Sequence, residues 1–132
     1  MYKQSELMVI TKAKALASYI LTVTQKSPKQ FRFSVVAKMQ NYALEIVETL
    51  YRANEVFVAG AIKTTQREKR LDLQHQALTN VKVLGYLAQL SMEQACILPK
   101  QFAHIAKLLS DTQNLIGAWI NSDKKRFSPN GA

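Results

Sequence analysis

The sequence predicts an all-α fold, an up-down-up-down antiparallel four-helix bundle. Apolar residues recur at steps of three and four along four long stretches, which is the spacing of one face of an α-helix. These stripes include Leu16, Ile20, Met39, Ile46, Leu50, Leu84, Ile105, Ile116 and Trp119. The 132 residues include only 4 Gly and 3 Pro. That is too little turn-forming material for an all-β sandwich or barrel. The links between the four stretches are short, and short links favour antiparallel neighbours.

The first two helices are predicted over residues 5–23 and 34–58. Pro28 and a group of basic residues interrupt the apolar pattern between them. Gly60 is the predicted stop of the second helix, because glycine readily adopts the left-handed conformation that ends many helices.

The third and fourth helices have clearer start signals. Thr65 and Glu68 have the T-x-x-E spacing of a capping box, so the third helix is predicted from Thr65 to near Ala95. Pro99 suits the first turn of the fourth helix, which is expected to end near Ser122. We therefore predict one domain over residues 1–123 and a basic, flexible tail over residues 124–132.

The charge balance is the first functional signal. The 18 Lys and Arg residues outnumber the 9 Asp and Glu residues and give a net charge of +9. Such an excess is typical of a protein that binds a polyanion. The alternative is a cationic surface that only keeps the protein in solution.

In an up-down bundle, many of these basic residues collect at the two ends. The predicted nucleic-acid contacts at one end are Lys63, Arg67, Lys69, Arg70, Lys124, Lys125 and Arg126, and those at the other end are Lys26, Lys29 and Arg32. Lys63, Arg67 and Arg70 have the spacing i, i+4, i+7 and would share one helix face. Phosphate contacts of this kind give an affinity that falls as salt rises. The alternative is a solvated helix face, partly balanced by Glu68 and Asp72.

Catalysis has little support in the sequence. His75, His104 and Cys96 are isolated from one another, and Glu45 and Glu48 lack the Glu-x-x-His partners of di-iron bundles. Gly-rich phosphate loops are missing as well. We therefore predict a protein that is not an enzyme and holds no cofactor or metal. No apolar run has the length of a membrane span and the first residues do not form a signal peptide, so a cytoplasmic, non-membrane protein is expected.

Apolar residues beyond the main stripes point to association between copies. Val83, Tyr86 and Leu90 extend the third helix's apolar surface, and Val36, Val47 and Val56 extend that of the second. One wide stripe per helix is enough for a bundle, so the surplus predicts a subunit interface. The alternative is a compact monomer with broadly buried helices.

Gly85 lies inside the third helix at a cost of about 1 kcal/mol, for which a close helix approach would compensate.

The C-terminal segment Leu115-Ile116-Gly117-Ala118-Trp119-Ile120, with the basic tail behind it, resembles a known group of small four-helix-bundle proteins. These are the accessory variability determinant proteins of diversity-generating retroelements and their relatives encoded in intervening sequences of bacterial 23S ribosomal RNA genes. Residues 27–33, 58–60 and 78–87 are similar to other parts of the same family.

The resemblance implies a homopentameric barrel that binds a reverse transcriptase and its template RNA, with cDNA as a further candidate partner. That complex makes adenine-mutagenised cDNA for retrohoming, and the accessory protein itself catalyses nothing. By position, the basic residues after Gly60 and after Trp119 would contact RNA or polymerase. Gly117 would allow close helix approach, and Trp119 would anchor the core or a subunit seam. Two alternatives stay open: an intervening-sequence protein of unsettled function, and a helical adaptor that binds only protein.

Overall fold

The structure is a computed structural model that describes the backbone of residues 2–60 and 63–127, and the side chains of residues 8–60 and 63–127. Four α-helices account for most of these residues: α1 (Tyr2–Val23), α2 (Val35–Asn54), α3 (Lys63–Glu93) and α4 (Pro99–Arg126). Two short 3₁₀ turns, Thr24–Lys26 and Lys29–Phe31, lie between α1 and α2. The described residues contain no strand, so the all-α, four-helix prediction is confirmed.

The helices enclose a single large apolar core. α1 packs against α2 and α4, and α3 packs against the same two helices. The largest fully buried apolar side chains include Trp119, Leu16, Ile20, Met39, Ile46, Leu50, Leu84, Ile105 and Ile116. All of them belong to the apolar stripes read from the sequence, because the inward face of a helix repeats every three to four residues. No helix in the described part of the chain has a stretch long and apolar enough to cross a membrane.

Side-chain contacts fix how some of the helices lie. On α1 and α4, Lys12 pairs with Asp111 at 3.6 Å, and the Tyr19 ring meets His104 edge-on with centroids 4.4 Å apart. The Ser27 hydroxyl donates to the Cys96 carbonyl at 2.7 Å. The link between α1 and α2 therefore lies beside the segment between α3 and α4.

The predicted end of α2 is wrong. The helix ends at Asn54, several residues before Gly60, and the Glu55 N–H closes its last turn on the Tyr51 carbonyl at 3.1 Å. The apolar residues that suggested a longer helix do not continue the buried stripe, since the Phe57 side chain is 80% exposed. Gly60 does have a left-handed backbone, with φ of 73°, but it shapes the chain beyond the helix.

The predicted capping box of α3 is also wrong. Lys63 and Thr64 are already helical, so Thr65 lies within the helix and is not its N-cap. At the other end the helix finishes at Glu93, and Ala95 is left-handed with φ of 62°. The Cys96 N–H bonds to the Ser91 carbonyl at 2.8 Å, the 6→1 bond of a Schellman motif with alanine where glycine is usual.

α4 begins at Pro99 as predicted. Proline costs no hydrogen bond at this position, because the first N–H groups of a helix have no intrahelical partner. The Leu98 N–H donates to the Gln101 side-chain oxygen at 2.8 Å, which satisfies one of the remaining donors.

The predicted boundary between bundle and tail falls inside α4. Lys124, Lys125 and Arg126 form the last turn of that helix, and Phe127 behind them is only 6% exposed. Residues 124–127 therefore belong to the folded bundle. Residues 128–132, the rest of the predicted tail, lie outside the described residues.

The two helical glycines do not mark close helix contacts within the chain. A Cβ at Gly85 would lie 3.8 Å from Leu109 Cδ1, an ordinary van der Waals distance. A Cβ at Gly117 would meet no atom within 4 Å. The expectation of close helix approach at Gly85 and Gly117 is therefore wrong for the single chain.

Candidate nucleic-acid interface

Arg70 lies inside the bundle. Its side chain is 5% exposed, and its Nε donates to Asp123 Oδ2 at 2.6 Å while Nη2 donates to Oδ1 at 3.2 Å. The guanidinium also lies 5.0 Å from the centroid of the Trp119 ring. Two parallel charge-assisted bonds of this kind are among the strongest side-chain contacts in proteins. The prediction that Arg70 presents its charge on the surface is therefore wrong.

Gln74 completes this buried polar group. It is fully buried one turn after Arg70, and its Nε2 donates to Asp123 Oδ2 at 2.9 Å. Its Oε1 has no hydrogen-bond partner among the described residues. Sequence reasoning missed Asp123, which lies just beyond the predicted end of the fourth helix near Ser122. The available signal was its spacing of four from Trp119, which places the carboxylate on the buried face of α4.

Arg67 joins the same two helix ends. It is half-buried, and its Nη1 donates to the Phe127 carbonyl at 2.7 Å. A cation at a helix C-terminus is favourable, because the unpaired carbonyls there carry partial negative charge. One N–H group of the Arg67 guanidinium therefore binds the end of α4, and only part of the side chain is exposed to solvent.

The remaining cations of this end are exposed on two adjacent helices. They form what we call the α3–α4 cluster: Lys63, Lys69, Lys124, Lys125 and Arg126. The contacts of Arg67 and Arg70 hold the first described turns of α3 against the last turn of α4. Glu68 and Asp72 are exposed on α3 nearby and reduce the local charge. The structure thus brings together the two basic segments that the sequence separates by more than fifty positions.

A small hollow lies beneath the α3–α4 cluster. Its volume is about 220 Å³, and its lining includes Leu71, Ile120 and Phe127 along with the buried Arg70 and Asp123. The described residues that line it include no Ser, Cys or His. They offer hydrogen bonds and charge, and the Asp123 carboxylate among them is already bonded to Arg70.

The other predicted contacts form a second group, the link cluster: Lys26, Lys29 and Arg32, all exposed between α1 and α2. The hydrogen bond from Ser27 to Cys96 places this link beside the C-terminal end of α3. The α3–α4 cluster lies at the opposite end of that helix, which has 31 residues and spans roughly 46 Å at 1.5 Å per residue. The two clusters are therefore separate surfaces.

Several cations on the sides of the bundle are neutralised by acids. The hydrogen bond from Lys107 lowers the pKa of Asp111, with Lys12 contributing from α1. Arg52 pairs with Glu48 at 2.6 Å on α2. With Arg126 set aside, the exposed cations of both clusters have no ion pair of this kind among the described residues. The uncompensated positive charge is thus concentrated at the ends.

The reactive side chains are dispersed over the bundle, and of the three only Cys96 adjoins the link cluster among the described contacts. His75 and His104 are exposed on different helices. Cys96 is buried, and burial raises the pKa of its thiol, which makes it a weak nucleophile. The described residues contain no group of three or more His, Cys, Asp and Glu side chains that could hold a metal ion.

Comparisons of the chain with protein-family models, curated proteins and solved structures find no match. The resemblance to accessory variability proteins therefore stays a prediction, and the functional argument depends on the geometry of the two basic clusters.

Proposed function

We propose that the protein is a non-catalytic, cytoplasmic scaffold that binds RNA through its two basic ends. The observation that carries this proposal is the α3–α4 cluster, in which two adjacent helices expose cations at the same end of the bundle. The hydrogen bond from Arg67 to the Phe127 carbonyl joins these two helix ends. Cations that meet phosphates release condensed counterions, and this release drives binding without any sequence contact. Arg70 has no part in this surface, because its charge is committed to Asp123.

The proposed biological setting is a diversity-generating retroelement. There the RNA would be the template RNA, the protein partner would be the reverse transcriptase, and cDNA would be a further ligand of the same surface. The support for this setting is the resemblance carried by residues 115–120 and the basic residues that follow them. An intervening-sequence protein of the same fold and a protein-only adaptor are the alternatives, and the adaptor predicts no salt-dependent affinity for RNA.

We propose further that the helices run up-down-up-down and that the bundles assemble into a homo-oligomer, with five copies as the resemblance implies. The support for assembly is a broad cleft between α1 and α2, lined in part by Leu21, Leu44, Val47 and Tyr51. Leu44 is 49% exposed and Tyr51 is 43% exposed. Tyr86 on α3, one of the residues predicted to be in surplus, is 62% exposed, whereas Val36 is buried in a small cluster with Val35 and Cys96.

The salt dependence of RNA binding tests the proposed function. We expect replacement of Lys63, Lys69, Lys124 and Lys125 by Gln to weaken binding of single-stranded RNA and to flatten the plot of log affinity against log salt. The slope should fall by about 0.7 for each phosphate that the variant no longer neutralises. Fluorescence anisotropy over a range of salt concentrations measures both quantities.

A matched control uses cations that the fold already pairs. Lys107 and Arg52 are salt-bridged to Asp111 and Glu48, so Lys107→Gln and Arg52→Gln should leave the slope as in the wild type. A fourfold variant with the wild-type slope would remove the α3–α4 cluster from the binding surface. A wild-type protein that ignores RNA in dilute buffer would end the proposal.

Assembly is tested by light scattering at micromolar concentration. The wild type is expected to have several times the mass of one chain, and Leu44→Lys should lower that mass by placing a charge in the apolar cleft. Gln113→Lys, a charge added at an exposed polar position of α4, should leave the mass unchanged. A monomeric wild type would contradict the barrel.

A further inference from the structure

Phe33 is the most exposed large apolar side chain in the described part of the chain, at 90%. Its neighbour in the Phe-Arg-Phe sequence behaves differently. Phe31 is half-buried and packs against the small cluster of Val35, Val36 and Cys96. One ring therefore anchors the link to the bundle, while the other stands in solvent with its faces open.

The backbone that carries Phe33 is held by successive hydrogen bonds. The Arg32 N–H donates to the Lys29 carbonyl at 3.1 Å, and the Ser34 N–H donates to the Phe31 carbonyl at 3.2 Å. The Lys38 N–H then donates to the Ser34 carbonyl at 3.0 Å, in the first turn of α2. Together with the bond between Ser27 and Cys96, these contacts make the link an ordered support for the ring.

The surroundings of Phe33 are strongly basic. The sequence contains no acidic residue between Glu6 and Glu45, and the link cluster, with Lys38, supplies exposed cations before and after Phe33 in the chain. The adjoining helix ends add Lys100 in the first turn of α4 and the acidic Glu93 at the end of α3. Charge complementarity thus favours a polyanion as the occupant of this surface.

We propose that the link cluster is a second RNA site, specific for unpaired RNA, in which a nucleobase stacks on Phe33 while Lys29 and Arg32 contact the flanking phosphates. This inference rests on the proposed RNA-binding function and deepens it. Aromatic rings beside cations are the general means by which proteins hold single strands, since every base has a π-face. In a duplex the base faces are covered by their neighbours, so the ring selects unpaired nucleotides.

The composition of the patch favours RNA over a membrane surface. Binding to a lipid surface needs a broad apolar face. Here the link exposes one aromatic ring, Phe33, and the uncharged polar residues Gln25, Gln30 and Ser34. Among the described residues, Leu98, 59% exposed in the adjoining segment, and Leu21, 38% exposed in the last turn of α1, are further exposed apolar side chains at this end.

Substitution of the ring tests the proposal in the full-length protein. We expect Phe33→Ala to weaken binding of oligouridine by roughly 5- to 150-fold, the range found when stacking aromatics are replaced by alanine. Binding of a fully paired RNA duplex of the same length should not change, nor should the salt slope, since no cation is removed. Phe33→Tyr keeps the stacking face and should bind like the wild type, whereas Phe33→Leu keeps only apolar bulk and should bind like Phe33→Ala.

Phe57→Ala is the matched control. It removes a phenylalanine that is 80% exposed beyond the end of α2 and outside the link, so oligouridine affinity should not change. A direct signal comes from Phe33→Trp. The new indole should lose fluorescence as oligouridine is added, while Trp119, which is fully buried, supplies a constant background.

The possible results distinguish failure of the stacking site from failure of the proposed RNA-binding function. Equal oligouridine affinity for the wild type and Phe33→Ala, or equal losses for single-stranded and duplex RNA, would overturn the stacking site and leave the proposed function standing. A wild type that binds neither RNA would overturn both. The protein could instead bind vesicles of anionic phospholipid in a manner that requires Phe33, and bind no RNA. That result would show that the ligand of this surface is a lipid membrane.

Discussion

Trp119→Ala is expected to lower the free energy of unfolding by about 3–5 kcal/mol, the usual cost of removing a large aromatic side chain from a core. Trp119 is fully buried and is the largest buried side chain in the described chain. Its loss would leave a cavity between α3 and α4 and would also remove the ring beneath the Arg70 guanidinium. Urea unfolding followed by circular dichroism measures the change, because the variant has no tryptophan left for fluorescence.

Two comparisons make this measurement specific. Trp119→Phe keeps an aromatic ring in the site and should lose much less stability, since a smaller cavity is left. Phe57→Ala, at a position 80% exposed beyond the end of α2, should change little. The titrations need several protein concentrations, because an oligomer gains apparent stability by mass action. A loss below about 1 kcal/mol for Trp119→Ala would show that the residue is not a core anchor.

Asp123→Ala is expected to cost about 3–5 kcal/mol, because it leaves the Arg70 guanidinium buried without its counter-charge. The two side chains are only 5% and 8% exposed and meet at 2.6 Å. Gln74 loses its acceptor in the same variant. Chemical unfolding again measures the loss, and loss of the last turn of α4 would accompany it as a fall in helicity.

A double variant distinguishes two contributions to stability. One is the cost of leaving a buried charge unpaired, and the other is the net stabilisation by the ion pair. Arg70→Met combined with Asp123→Leu replaces both charges by apolar groups of similar size and should recover most of the stability lost in Asp123→Ala. Glu48→Ala breaks the exposed pair with Arg52 and should have no measurable effect. If Asp123→Ala were as mild as Glu48→Ala, the buried pair would not be holding the end of α4.

Much of the core could be predicted from the sequence, because burial of one helix face imposes a period that the residues must follow. Trp119, Ile105 and Leu84 lie on the stripes read from the sequence and are fully buried. The start of α4 was predictable for a similar reason. Proline at the first helical position has a steric cause that does not depend on the rest of the fold.

The ends of α2 and α3 could not be predicted in the same way. A T-x-x-E spacing forms a capping box only when the threonine backbone leaves the helical conformation, and Thr65 and Glu68 satisfy the same spacing inside α3. Near the end of α2, Val56 and Phe57 extend the apolar pattern although the core has ended, which leaves Phe57 exposed. Both errors arise because packing decides which of several locally acceptable ends is used.

The candidate site was predicted in its residue types but not in its geometry. Lysines can be assumed to reach solvent, and Lys63, Lys69, Lys124 and Lys125 do so. An arginine can instead be buried when a carboxylate from another helix meets it. The pairing of Arg70 with Asp123 depends on the register between α3 and α4, which the sequence does not state.

The clamp on the last turn of α4 has a consequence for molecular selectivity. Asp123 and the Phe127 carbonyl are bonded to α3, so Lys124 and Lys125 are held at the fixed positions of a helical turn. In a flexible tail the distance between the two lysines would vary. A flexible tail would lose backbone conformational entropy when it binds a ligand, whereas this helical turn has already lost that entropy on folding. If the α3–α4 cluster binds RNA as proposed, strands whose phosphates match the fixed positions of these lysines would be favoured over equally charged polymers of another shape.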